Sequence, residues 1–182
     1  NLGNTLIDQI DLSYNINLTF LAIDNCNLTS IDISRNTELT DLRLNNNLLN
    51  EIDLSKNILL KNLYLNNNNL SEINLNKNVL LERIYIGNNK LTDISFNLNT
   101  ELKTISAINN NITSPIITDN LKLEIIDFSN NIINSIDLRK NINLNYINLE
   151  NNKLKQINLN QNVGVDDLNL ANNFIENLNI DK

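Results

Sequence analysis

The sequence predicts a mainly β solenoid with a parallel β-sheet on one face and short extended segments or turns on the other. Three observations predict it. The 182 residues repeat with a period of 21 residues and without an insertion. Each repeat contains a short alternation of apolar and polar residues, which is the period of a half-buried strand. Asparagine recurs at fixed positions after each alternation.

The predicted strands lie in the first half of each repeat. In the reference stretch 39–59, LTDLRLNNNLLNEIDLSKNIL, Leu42 and Leu44 alternate with polar residues and are expected to point inward. Equivalent apolar pairs recur eight times in the chain: Leu21/Ile23, Leu42/Leu44, Leu63/Leu65, Ile84/Ile86, Ile105/Ala107, Ile126/Phe128, Ile147/Leu149 and Leu168/Leu170. Stacked in register, these segments predict a parallel sheet with one strand per repeat.

The second half of each repeat has the same alternation of apolar and polar residues followed by asparagine, ten residues later, as in Ile52-Asp53-Leu54 with Asn57. This spacing leaves too few residues for full helices, so the back of the solenoid is expected to be extended.

Two asparagine columns follow the predicted strands. The first includes Asn46 and is expected to form turns with unusual dihedral angles. The second is expected to point inward and to satisfy backbone groups as a structural asparagine ladder. Its members are Asn47, Asn68, Asn89, Asn110, Asn131, Asn152 and Asn173, and Cys26 occupies the same position one repeat earlier.

The pattern LxxLxLxxNxL, present as Leu39, Leu42, Leu44, Asn47 and Leu49, resembles the leucine-rich repeat family. The second half, LxxIDLSxN, is similar to the short 21-residue class common in bacterial proteins. The resemblance covers essentially the whole chain. It implies a right-handed solenoid and a strand face that binds protein or peptide ligands and sometimes glycans. The uninterrupted repeat, which has no linker, itself indicates a single domain over residues 1–182. In that family, catalysis comes from other domains.

One repeat departs from the pattern. Ala107 replaces a large core residue, Ile108 takes a polar position, and Pro115 and Ile116 replace an Ile-Asp pair. The departure indicates either a kink or apolar contact point, or harmless drift in which Ile108 or Ile116 restores the lost volume.

The outward positions of the predicted sheet are the candidate binding site. Tyrosine and arginine contribute most of the energy at many interfaces, because they bury area while keeping a polar group. The predicted ligand-binding patch therefore comprises Phe20, Arg43, Tyr64, Arg83 and Tyr85. The alternative is that the two tyrosines only stack on each other across neighbouring strands. A secondary acidic patch is predicted at Asp127, Tyr146, Glu150 and Asp167, where a solvated surface is the alternative to a basic partner.

Composition excludes several other classes. A formal charge of −7 argues against nucleic-acid binding. The chain has no histidine and a lone cysteine, so the sequence indicates no catalytic residues, no metal site and no cofactor. A column of aspartates on the back, including Asp32 and Asp53, lacks the closed oxygen shell that calcium requires. No apolar run is long enough for direct membrane insertion.

The predicted function is a non-catalytic protein-interaction module, with an extracellular or bacterial cell-surface location. Two alternatives stay open: a structural subunit or spacer of a larger surface assembly, and the recognition domain of an enzyme whose catalytic part lies elsewhere. The apolar residues Leu2, Leu178 and Ile180 have no polar cap, so the sequence is also expected to be a segment of a longer chain or to dock at its ends.

Overall fold

The structure, a computed structural model, describes residues 1–179; Ile180 of the uncapped end lies outside the described residues. This part of the chain contains no helix. Its ten strands are β1 Phe20–Ala22, β2 Asp41–Arg43, β3 Asn62–Tyr64, β4 Arg83–Tyr85, β5 Thr104–Ser106, β6 Ile125–Asp127, β7 Tyr146–Asn148, β8 Gln156–Asn158, β9 Asp167–Asn169 and β10 Asn177–Asn179.

Eight strands form one parallel sheet in the order β1-β2-β3-β4-β5-β6-β7-β9. Neighbouring strands pair one repeat apart, as Leu21 with Leu42 and Leu42 with Leu63. The central residue of each strand from β2 to β7 is apolar and 0% exposed. The predicted strands and their parallel pairing are therefore confirmed, and so are the inward apolar residues of β2 to β7, whereas Leu168 in β9, the last strand of the sheet, is 36% exposed.

The back of the solenoid is made of turns and short extended segments. β8 and β10 form a two-stranded parallel pair, and Ser95 and Ile116 form an isolated parallel bridge. The intervening turns are closed by local hydrogen bonds; for example, the Asn57 N–H donates to the Leu54 carbonyl at 3.1 Å. The predicted lack of helices on this face is confirmed for the described residues.

The interior is one continuous stack of leucine and isoleucine side chains. In the divergent repeat Ala107 is fully buried, whereas Ile116 is 46% exposed and Ile108 is half-buried. The expectation that Ile116 restores core volume is wrong, because its position on the back segment points outward. Phe128 lies in the Ala107 column one repeat later and is fully buried, so the larger ring fills that layer.

The first asparagine column turns the chain off the sheet. Nine asparagines have positive φ angles between 53° and 61°, a region that asparagine tolerates better than most residues. They are Asn4, Asn25, Asn46, Asn67, Asn88, Asn109, Asn130, Asn151 and Asn172. The expected unusual dihedral angles are confirmed.

The second column forms the predicted asparagine ladder. In a representative member, Asn68, Nδ2 donates to the Leu44 carbonyl of the preceding coil at 2.9 Å and to the Leu65 carbonyl at 3.1 Å. Its Oδ1 accepts the Leu49 N–H at 3.1 Å. Each amide therefore binds backbone groups that the sheet leaves without partners.

A second ladder on the back was not foreseen. Asn57 Nδ2 donates to the Ile33 carbonyl at 3.0 Å and to the Asn36 carbonyl at 2.9 Å. The same pattern recurs at each back asparagine: Asn36, Asn57, Asn78, Asn99, Asn120, Asn141 and Asn162. The sequence feature that could have predicted this second ladder is the recurrence of asparagine after each back segment.

Candidate binding face

A stack of aromatic and guanidinium groups crosses the outer face of the first four strands. The Arg43 guanidinium carbon lies 5.3 Å from the centre of the Phe20 ring and 4.9 Å from that of Tyr64. The Tyr64 and Tyr85 rings are 4.8 Å apart and nearly parallel, with an interplanar angle of 5°. Four of the five predicted binding residues are thus joined in one continuous row.

The strand register explains the row from Arg43 to Tyr85, whereas Phe20 is paired with Asp41 in the neighbouring column and contacts Arg43 diagonally. Arg43 is paired with Tyr64 across β2 and β3, and Tyr64 with Tyr85 across β3 and β4. Adjacent parallel strands are about 4.8 Å apart, which is close to the stacking distance of planar groups. Identical positions in consecutive repeats therefore place planar side chains face to face. Arg43 and Phe20 are exposed, whereas the two tyrosines are half-buried.

Arg83, the fifth predicted residue, is exposed and lies in the neighbouring column of the sheet. Its Nη1 donates to Asn62 Oδ1 at 3.3 Å, and Asn62 Nδ2 in turn donates to Asp41 Oδ1 at 2.8 Å. Arg83 therefore belongs to a polar row beside the aromatic stack.

A third polar ladder borders the stack where the strands end. Asp24 Oδ1 accepts the backbone N–H of Asn45 at 2.8 Å, Asn45 Oδ1 accepts that of Asn66 at 2.9 Å, and Asn66 Oδ1 accepts that of Gly87 at 2.7 Å. A Cβ on Gly87 would lie 3.2 Å from both Asn66 Oδ1 and the Ile108 carbonyl oxygen. The close approach explains why the ladder ends in glycine. The sequence analysis did not predict this ladder, although its residues recur at 21-residue spacing as Asp24, Asn45, Asn66 and Gly87.

The acidic patch is dispersed rather than joined. Asp127 Oδ2 accepts a hydrogen bond from Asn148 Nδ2 at 3.2 Å, and Glu150 Oε2 accepts one from Asn169 Nδ2 at 2.9 Å. Tyr146 and Asp167 are paired across β7 and β9. The Asp127 and Glu150 carboxylates are thus held by neutral amides along the last strands of the sheet.

Other carboxylates are stabilised by specific partners. The Lys103 ammonium, 3.0 Å from Glu82, lowers the pKa of that carboxyl. On the back, hydrogen bonds from the Arg139 side chain lower the pKa of Asp137 to about 2.

The remaining back aspartates follow a related pattern. The Ser13 hydroxyl and backbone N–H lower the pKa of Asp11, as those of Ser34 do for Asp32. For Asp53 the backbone N–H of Ser55 is the larger cause. Hydrogen bonds within each turn therefore stabilise these charges.

Within residues 1–179, no group of three or more histidine, cysteine, aspartate or glutamate side chains is arranged to hold a metal ion. None of these residues belongs to a helix that could cross a membrane.

No protein-family model and no curated protein sequence matches the chain. Solved structures do. YopM, described as a leucine-rich effector protein from Yersinia pestis, superposes with a TM-score of 0.81 at 28% identity over 89% of this chain and 46% of YopM. The chain is a leucine-rich-repeat solenoid. A Leptospira interrogans leucine-rich-repeat protein gives a TM-score of 0.78 at 20% identity over 97% of this chain and 55% of that protein.

A further leucine-rich-repeat neighbour is the ectodomain of the plant membrane receptor kinase GASSHO1/SCHENGEN3 from Arabidopsis thaliana, in complex with Casparian strip integrity factor 2. It gives a TM-score of 0.69 at 20% identity over 85% of this chain and 24% of the receptor. This leucine-rich-repeat chain thus spans about half or less of YopM and the receptor ectodomain, and 55% of the Leptospira protein.

Proposed function

We propose that this leucine-rich-repeat chain is a non-catalytic protein-interaction module whose strand face binds a protein or peptide through Phe20, Arg43, Tyr64, Arg83 and Tyr85. The row from Phe20 to Tyr85 is the observation that supports the proposal. It places arginine and tyrosine, the residue types enriched in binding hot spots, on an outward surface.

The row is also held in place before any partner arrives. Each planar group is stacked on its neighbour above a hydrogen-bonded sheet, so few rotamers are lost on binding. The mutual stacking of the tyrosines, which the sequence offered as an alternative to binding, therefore favours binding by reducing its entropic cost. Both faces of the Tyr64 ring are covered by Arg43 and Tyr85, which favours a peptide over a glycan at this position.

The location proposed for the module is extracellular or at a bacterial cell surface, and residues 1–182 are proposed to form a single domain. The similarity to a receptor ectodomain that was solved with a bound partner supports both an exposed location and protein binding.

The proposal is tested by selecting peptides from a random displayed library on the immobilised chain and measuring Kd for wild type and for Tyr64→Ala/Tyr85→Ala. Loss of both rings is expected to weaken the selected peptides by about thirtyfold or more, which corresponds to one hot-spot truncation. Circular dichroism verifies that the variant remains folded.

Tyr14→Ala is the matched control, because Tyr14 is 91% exposed and lies outside the strands. It is expected to change Kd by less than about twofold, since surface positions away from an interface contribute little. Peptides that bind wild type and the double variant equally would show that the stacked row is not the binding surface.

A further inference from the structure

The row of planar groups is covered at one end and open at the other. Arg43 covers the outer face of Tyr64, and Tyr64 covers one face of Tyr85. The residue paired with Tyr85 on the next strand is Ser106, whose short side chain has no planar group to stack on the second face of the ring. That face is therefore directed at the space above Ser106.

Asp127 lies on the far side of that space, because it is paired with Ser106 across β5 and β6. Its Oδ1 accepts the Ser129 N–H at 3.0 Å, and its Oδ2 accepts Asn148 Nδ2 at 3.2 Å. Both donors are neutral, and no lysine or arginine in residues 1–179 forms an ion pair with Asp127. The carboxylate is thus held in position with its charge uncompensated.

The charges on the Asp127 side of the cleft favour a cation, whereas on the other side Arg83, two residues before Tyr85 in β4, is bonded to the neutral Asn62. Lys103 and Lys122, the nearest lysines toward the start of these strands, are paired with Glu82 at 3.0 Å and with Glu101 at 2.6 Å. Glu124 directly precedes β6, and beyond Asp127 the chain adds acidic side chains at Glu150 after β7 and at Asp166 and Asp167 at the start of β9.

The chain itself shows how a guanidinium fits such a row, since the Arg43 group lies 4.9 Å from the centre of the Tyr64 ring. A cation at a similar distance from the open face of Tyr85 would lie above Ser106. Asp127 would then be about one strand spacing, ~4.8 Å, away. Arginine suits this position better than lysine, because its planar group stacks on a ring and also forms directed hydrogen bonds with a carboxylate.

We propose that the cleft bounded by Tyr85 and Asp127, with Ser106 as its floor, binds an arginine side chain of the protein partner. The proposal rests on the proposed function and specifies which chemistry the partner presents at this point of the strand face.

The test is an NMR titration of the chain with N-acetyl-arginine amide, with N-acetyl-citrulline amide as a neutral probe of the same shape. Saturable shifts are expected at the Ser106 and Asp127 amides and the Tyr85 ring with the arginine probe. The citrulline probe is expected to bind at least about fivefold more weakly, because it forms neither the ion pair nor the cation–π contact.

Variants distinguish binding at the cleft from general electrostatic attraction of the probe to the acidic face. Asp127→Asn is expected to weaken the arginine probe about fivefold or more, whereas Asp167→Asn, which removes the same charge from the same face, is expected to change Kd less than about twofold. Ser106→Arg places a guanidinium in the cleft and is expected to abolish saturable binding.

The proposed arginine site would be overturned if wild type shows no saturable shifts, or if Asp127→Asn and Asp167→Asn lose the same affinity for the arginine probe. If the arginine probe does not bind at the cleft but the selected peptides still require Tyr64 and Tyr85, the proposed function stands and only the arginine site is wrong. A third outcome is that the arginine probe binds but the selected peptides bind wild type and Tyr64→Ala/Tyr85→Ala equally. That outcome would overturn the proposed function and the assignment of the arginine to a protein partner.

Discussion

Single asparagine side chains meet three different backbone requirements in this solenoid. Asn46 and its equivalents adopt positive φ angles that most residues avoid. Asn47 and its equivalents donate to carbonyls and also accept a backbone N–H, as Asn47 does from Leu28 at 3.1 Å. The back asparagines donate to two carbonyls each, and the buried Oδ1 of Asn36, Asn57, Asn78, Asn120, Asn141 and Asn162 accepts no hydrogen bond from the described residues. The front ladder is therefore the better satisfied of the two.

Thr5 and Cys26 occupy the front-ladder position in the first two repeats, and Cys26 predicts a stabilising substitution. Its Sγ is buried and makes long contacts with the Leu2 carbonyl at 3.6 Å and the Asp24 carbonyl at 3.5 Å. Asparagine at this position would extend the ladder by one coil, with shorter hydrogen bonds. Cys26→Asn is expected to raise the free energy of unfolding by about 1 kcal/mol, measured by urea denaturation.

Cys26→Ala is the control for this substitution, because it removes the sulfur without supplying an amide. It is expected to be less stable than wild type. If Cys26→Asn is no more stable than Cys26→Ala, the ladder geometry does not extend to the first complete coil.

At the scale of elements, the strands are held by layers of side chains that repeat from coil to coil. Ala107, directly after β5, is followed one repeat later by Phe128, directly after β6, and both are fully buried. We expect this small and this large residue in adjacent layers to fill together the volume that two leucines fill elsewhere. Such pairs are coupled, because each substitution changes the space available to the other.

This coupling predicts a compensating pair. Ala107→Leu is expected to overpack the layer and Phe128→Leu to leave a cavity, each at a cost of about 1–3 kcal/mol. The double variant conserves volume and is expected to cost about 1 kcal/mol or less. Chemical denaturation of all three variants measures the coupling energy.

The control for the cycle combines Ala107→Leu with Ile33→Val, which lies several coils away, and these two effects are expected to add. Additive costs for Ala107→Leu and Phe128→Leu would mean that Phe128 does not fill the space beside Ala107.

The elements also differ in how far the sequence could predict them. Spacing alone located the strand residues and the front ladder, because identical positions in a 21-residue repeat stack directly. It could not place Ile116, since the outward orientation depends on how the back segment pairs with Ser95. The spacing placed Arg43 beside Tyr64 and Arg83 beside Asn62, but it could not decide that the Arg43 guanidinium lies between the Phe20 and Tyr64 rings, because that depends on the side-chain rotamers. The open face of Tyr85 follows from that same local packing.

At the scale of the whole molecule, each coil contacts only its neighbours along the stack, so stability is expected to be distributed along the chain rather than uniform. The front ladder offers a matched pair of probes. Asn89 donates to carbonyls at 3.0, 3.1 and 3.2 Å and accepts the Leu70 N–H at 3.0 Å. Asn152 makes the equivalent bonds at 2.9, 3.0 and 3.2 Å and accepts the Ile133 N–H at 2.9 Å. The two differ mainly in their distance from the middle of the stack.

Asn89→Ala and Asn152→Ala are therefore expected to remove similar local energies, about 2–4 kcal/mol each, with different consequences along the chain. Native-state hydrogen exchange is expected to show faster exchange in β7 and β9 for Asn152→Ala, with β1 to β3 unchanged. Asn89→Ala is expected to speed exchange in β3, β4 and β5, because opening its coil separates the two halves of the stack. If Asn152→Ala instead speeds hydrogen exchange equally in every strand, the solenoid opens as one cooperative unit. The stability of a coil would then depend on all the others and not only on its neighbours.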